Sequence, residues 1–72
     1  MNQVNENVLK VLRLKDVLHI LSISRSTLYD WMDAESPRFD SEFPRPIKLG
    51  ATSIGWIEGE INTWIYSRMS KR

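Results

Sequence analysis

The apolar positions of this chain form three helical stripes, with one alternating stretch before the last. Leu14, Val17, Leu18 and Leu21 recur at i, i+3, i+4 and i+7, the spacing that gathers side chains on one face of a helix. A first helix is therefore predicted over 14–21, with Lys15, Asp16 and His19 turned away from the stripe. Ser22-Ile23-Ser24 interrupts the pattern. The Ser24 hydroxyl can accept from a backbone N–H two or three residues on, which marks the start of a second helix over 25–32. Its stripe is Leu28, Trp31 and Met32. Ser26, Tyr29, Asp30 and Asp33 occupy the opposite face, with Arg25 and Thr27 on the flanks.

Residues 34–42 are rich in charge and contain Pro37, so they read as a loop. Beyond them Phe43–Leu49 and Ile54–Trp56 flank Gly50-Ala51-Thr52-Ser53, the pattern of a β-hairpin. Pro44 and Pro46 confine the first strand to a sheet edge or to its opening residues. A third helix is predicted over 58–69 with the stripe Ile61, Trp64, Ile65 and Met69. Glu58 and Glu60 fall in its first turn and Arg68 in its last, as the helix dipole favours. Residues 1–10 are polar and irregular and read as a flexible arm, although Val8–Val11 can add a short strand. Residues 70–72 read as a frayed end.

Seventy-two residues allow one domain, here 11–69, and leave little room for an enclosed substrate pocket. The chain has no cysteine and a single histidine, His19. Disulfides, cysteine-based zinc sites and histidine-rich metal sites are thereby excluded, and no cofactor is expected. No run approaches the ~18 apolar residues of a membrane span, and residues 1–10 lack the order of a secretory signal. These features predict a cytoplasmic protein. A net charge of +1 says little about partners. No Ser/His/Asp or paired-carboxylate arrangement is present, so an enzyme is not expected. The acidic residues between Asp30 and Glu42 read as a solvated loop. Trp31, Trp56 and Trp64 read as core rather than as base-stacking residues.

Two short helices joined by about three residues, with apolar Ile23 inside the turn, form a helix-turn-helix pattern. The second helix would then enter a DNA major groove by its N-terminal end. Arg25 suits a phosphate or the O6/N7 edge of guanine, Ser26 and Thr27 suit phosphates or bases, and Tyr29 projects from the same side one turn on. The same run also reads as the capped start of any helix, and spacing alone does not separate the two. The hairpin adds a wing carrying Arg45, Lys48, Thr52 and Ser53, which can meet the phosphate backbone or minor groove. A solvated hairpin whose basic residues guard an edge strand is the alternative. The fold class predicted is mainly α with a small β-hairpin: three helices plus a wing.

The runs Leu12-Arg13-Leu14-Lys15-Asp16-Val17, Ser22-Ile23-Ser24-Arg25-Ser26-Thr27-Leu28-Tyr29, Phe43-Pro44-Arg45-Pro46-Ile47-Lys48-Leu49-Gly50, Gly55-Trp56 and Glu60-Ile61-Asn62-Thr63-Trp64, taken together, resemble the AlpA family of prophage transcriptional regulators. The resemblance covers roughly 11–68. It implies a winged helix-turn-helix of the MerR and excisionase type that binds double-stranded DNA on the nucleoid and regulates prophage or genomic-island genes, often those of integrase or excision. An excisionase-like factor that bends attachment-site DNA uses the same fold. A protein-interaction or antirepressor module is a further alternative. Implied partners are DNA, a second copy as a dimer or on an adjacent site, and integrase or RNA polymerase. Arg25, Ser26, Thr27 and Tyr29 would read the major groove, and Arg45, Lys48, Thr52 and Ser53 would serve the wing. Ser22 stands where the family often has glycine, which predicts a strained left-handed turn. Asp30 stands where it usually has a basic residue, and Thr52 where it commonly has arginine.

Overall fold

The computed structural model describes residues 9–72. Six elements follow in order: β1 (Val11–Leu12), α1 (Leu14–Leu21), α2 (Arg25–Met32), β2 (Ile47–Lys48), β3 (Ile54–Ile57) and α3 (Glu58–Ser70). Both N-terminal helices have the predicted bounds, and α3 runs one residue past the predicted end. Ser70 is thus helical rather than frayed, and Lys71 caps the helix by donating its N–H to the Arg68 carbonyl. Of the expected arm, residues 1–8 lie outside the described residues. Lys10 is already tied in, its carbonyl accepting from the Glu58 N–H at 2.8 Å.

The hairpin is part of a three-stranded antiparallel sheet in the order β1-β3-β2. The added strand is Val11–Leu12, not the Val8–Val11 segment expected. Val11 opposes Ile57 and Leu12 opposes Trp56, while Ile47 opposes Gly55 and Lys48 opposes Ile54. Directly opposed residues share a sheet face. Leu12, Trp56, Ile54 and Lys48 therefore lie on the core side, and Val11, Ile57, Gly55 and Ile47 on the outer side. The alternation in the first hairpin strand thus does not bury Ile47 and Leu49, which stay 39% and 43% exposed. Leu49 helps roof Gly55 instead: a Cβ there would meet Val11 Cγ1 at 2.5 Å and Leu49 Cδ1 at 3.1 Å. The predicted strand over 43–49 shrinks to two residues because Pro44 and Pro46 have no N–H for a ladder. Phe43, freed from the strand, turns into the core and is buried.

Leu12, Val17, Leu28, Phe43, Trp56 and Ile61 are buried. Leu14, Leu18, Leu21, Ile23, Trp31, Met32, Ile54, Trp64 and Ile65 pack around them. Each fully buried large side chain stabilises the fold by about 1.5–3 kcal/mol, which matters in a chain with so little interior. Met69, expected in the α3 stripe, is 46% exposed because the helix outruns the core there. The three tryptophans are core residues, as expected. Trp31, Phe43 and Trp64 form an aromatic trio with centroids 5.2–5.6 Å apart.

The loop between α2 and β2 is folded rather than merely solvated. Asp33 Oδ1 accepts from the Glu35 N–H and Asp40 Oδ1 from the Glu42 N–H, both at 2.9 Å, side-chain turns typical of aspartate. The Asp40 N–H donates to the Trp31 carbonyl at 2.9 Å. Asp40 Oδ2 accepts from Trp64 Nε1 at 3.0 Å and pairs with Arg68, whose guanidinium also lies over the Trp64 ring. Burial acts to raise the Asp40 pKa. The hydrogen bonds from Trp64, the Glu42 N–H and Arg68, with the Arg68 charge, outweigh it and hold the carboxyl below its ordinary value. One aspartate thereby joins the loop, α2 and α3.

Candidate nucleic-acid interface

The turn between α1 and α2 is built from local hydrogen bonds. Ser22 sits at φ 55°, ψ 47°, the left-handed region. Its N–H donates to the His19 carbonyl, and the Ile23 N–H to the Leu18 carbonyl at 3.1 Å. This closes the helix in a Schellman turn, with Ile23 packed inward beside Leu18. The chain then starts again: Ser24 Oγ accepts from the Thr27 N–H at 3.2 Å. α2 therefore stands on an apolar turn, with its first residues free.

Helical geometry sorts the α2 side chains. Leu28 is buried, and Trp31 and Met32 lean on the core. Ser26 and Tyr29 lie on the opposite face and are exposed, and Arg25 is exposed on the flank one turn before Tyr29. Thr27 is half-buried, and its hydroxyl accepts from Ser24 Oγ at 3.0 Å, so it completes the cap and stands apart from that face. Ser26 Oγ lies 3.2 Å from the same serine. Asp30, on the outer face beside Ser26, pairs with Arg38 of the loop at 3.4 Å.

The wing residues separate into a root and a tip. Arg45, between two prolines, lines an open groove with Ile47 and with Glu60, Thr63 and Trp64 of α3, so it belongs to the root. Lys48 is exposed on β2. Leu49 N–H donates to the Ser53 carbonyl at 2.7 Å and closes the turn. This leaves Thr52 exposed and Ser53 half-buried at the tip. At the inner margin of the wing, Arg13 Nε donates to the Ile54 carbonyl at 3.2 Å. Sequence reasoning passed over both Arg13 and Arg38. Arg13 is 41 residues from its partner, and no local pattern signals such a pair.

Ion pairing divides the ten basic residues. Lys10, Arg38, Arg68 and Lys71 pair with Glu58, Asp30, Asp40 and Glu42. Arg13, Lys15, Arg25, Arg45, Lys48 and Arg72 make no ion pair among the described residues. Every cation singled out on α2 and the wing belongs to this second group. A net charge near zero thus conceals a segregation: acidic groups hold the cations of the loop and α3, while those of the helix-turn-helix and wing remain available to an anionic partner.

No group of three or more His, Cys, Asp or Glu that could hold a metal occurs among the described residues. None of their helices is long and apolar enough to cross a membrane.

A helix-turn-helix followed by a hairpin wing and a closing helix defines a winged helix-turn-helix protein. The chain belongs to the family described as prophage CP4-57 regulatory protein (AlpA), whose model matches residues 10–69. It is 42% identical over 64 residues to the DNA-binding transcriptional activator AlpA of Escherichia coli (strain K12), a match covering 89% of this chain and 91% of that one. It is also 30% identical over 63 residues to the uncharacterized protein ORF88 of Enterobacteria phage P4, covering 88% of this chain and 65% of that one. No solved structure matches the chain.

Proposed function

We propose that this protein is a sequence-reading DNA-binding regulator of prophage transcription, with α2 in the major groove and the wing on the flanking backbone. The observation that carries this reading is that Arg25, Arg45 and Lys48, the cations of α2 and the wing, make no ion pair among the described residues, whereas Lys10, Arg38, Arg68 and Lys71 are each held by an acid. Arg25 is suited to a guanine edge or a phosphate, Ser26 to a phosphate or base beside it, and Tyr29 to the groove one turn on. Thr27 serves this surface by holding the helix cap. Arg45, Lys48, Thr52 and Ser53 supply wing contacts to phosphates, which fix register rather than sequence. A module this small makes few base contacts, so specificity calls for a second copy on an adjacent site. The genes controlled are, in this reading, those of integration and excision, and integrase or RNA polymerase would be met at the same DNA. The Asp30–Arg38 pair removes the bare negative charge that would have favoured a protein-interaction role for this face.

Fluorescence anisotropy tests the reading with two duplexes, one from upstream of the gene that encodes this chain and one scrambled. Preference for the first, lost in R25A and Y29A, is the expected result. Equal weak binding to both, unchanged in those variants, overturns it. A circular-permutation gel shift on attachment-site DNA tests the excisionase-like alternative, which the absence of a bend would count against.

A further inference from the structure

Ile54, the first residue of β3, turns its backbone groups toward a position that β1 does not reach. Leu49 N–H donates to the Ser53 carbonyl across the wing, and Glu58 N–H donates to the Lys10 carbonyl across the other edge. Backbone groups point to alternate sides along a strand, so the Ile54 carbonyl faces β1. There β1 has already ended, since α1 begins at Leu14. Arg13 Nε fills the vacancy at 3.2 Å, while the Arg13 N–H donates to Asp16 Oδ2 at 3.0 Å and starts α1.

That bond uses one of the five guanidinium donors. The other four have no hydrogen-bond partner among the described residues, and no carboxylate pairs with the group. The side chain is exposed. Its planar fork is thus held by the wing strand one residue beyond the Ser53 tip, at the N-terminus of the first helix of the helix-turn-helix. In such motifs that helix crosses the DNA backbone. A pre-oriented guanidinium whose Nη1/Nη2 edge is free suits a phosphate.

We infer that Arg13 is a further DNA-contacting residue: its Nε fastens the wing to α1, and its terminal nitrogens clamp a backbone phosphate between the groove-reading helix and the wing. This rests on the DNA-binding reading above.

Glutamine provides the test, because its amide nitrogen stands as many bonds from Cα as the arginine Nε. R13Q can keep the bond to Ile54 while losing the charge. R13Q is expected to melt close to wild type and to bind the upstream duplex more weakly. Its slope of log affinity against log salt should be shallower by about 0.9, one phosphate. Between about 50 and 200 mM salt, wild type then loses about 3.5-fold more affinity than the variant. R13K, which keeps the charge, should keep the slope. In the wild-type protein the Arg13 Nε–H resonance should shift on titration with the duplex. A wild-type slope in R13Q, or an Nε–H signal that ignores DNA, overturns the clamp and leaves the DNA reading standing. Failure of the wild-type protein to bind either duplex sinks both.

Discussion

Trp64 Nε1 donates to Asp40 Oδ2 at 3.0 Å, across 24 residues of sequence. This bond ties the middle of α3 to a loop that would otherwise wander past α2. The same carboxylate meets Arg68, and the Asp40 N–H holds the last turn of α2 through the Trp31 carbonyl. The orientation of α2 against the rest of the domain therefore depends on an acid in the loop that follows it. D40A should destabilise the fold by about 1–3 kcal/mol, because a half-buried, hydrogen-bonded charge is lost and the Trp64 N–H is left without its acceptor. Chemical denaturation would measure this. A loss below about 0.5 kcal/mol would show that the bond is incidental.

Asp40 also predicts a pH dependence. Its folded pKa lies below the ordinary value of 3.8, so the unfolded chain binds its proton first. The contribution is complete above about pH 4–5 and is lost as pH falls through 3.8 and then through the lower folded value. Melting temperature should thus decline on acidification in that window, and D40N should decline less. Equal slopes in the two proteins would remove Asp40 from the acid response.

Ser22 adopts φ 55°, where a side chain costs roughly 1–2 kcal/mol. S22G relieves that strain while raising the conformational entropy of the unfolded chain, for a net gain of about 0.5–1 kcal/mol. In a chain of this size that is a rise of several degrees in melting temperature. DNA affinity should be unchanged, since α2 keeps its cap at Ser24. A fall in melting temperature would show that the serine is needed for more than closing the helix.

Gly55 is needed for space rather than for turn geometry, since no glycine here has positive φ. A Cβ would come within 2.5 Å of Val11 Cγ1 and 3.1 Å of the Leu12 carbonyl. The valine is stiff at χ1, and the carbonyl is backbone. G55A should cost about 1–3 kcal/mol as overpacking. Pairing it with V11A should recover part of the loss, measured as a coupling in a double-mutant cycle. Strict additivity would refute the clash.

The division of cations makes a prediction of its own. K48A removes an unpaired wing charge and should make the salt slope of DNA binding shallower by about 0.9. K71A removes a cation held at 2.8 Å by Glu42 and should leave the slope as it was. Equal effects would mean that DNA meets both faces alike.

Local patterns contain much of this architecture. The stripe Leu14, Val17, Leu18, Leu21 and the Ser24 cap define α1 and α2 to the residue, because helix periodicity and capping act over three or four positions. Gly50–Ser53 mark the wing turn for the same reason. The family was legible as well, since its runs are contiguous, and Ser22 already pointed to a left-handed turn. Tertiary structure decided what depends on partners distant in sequence. Ile47 and Leu49 alternate like buried residues, yet pairing to Gly55 turns them outward, because register and not pattern selects the face. Asp40 looks like one more loop acid until Trp64 and Arg68 arrive from α3. The charges along the chain nearly cancel. Only folding pairs some and leaves others free, because ion pairing depends on distance in space rather than along the chain. The Arg13–Ile54 bond exists only because β1 ends two positions short of Leu14, the residue that would oppose Ile54 on β3.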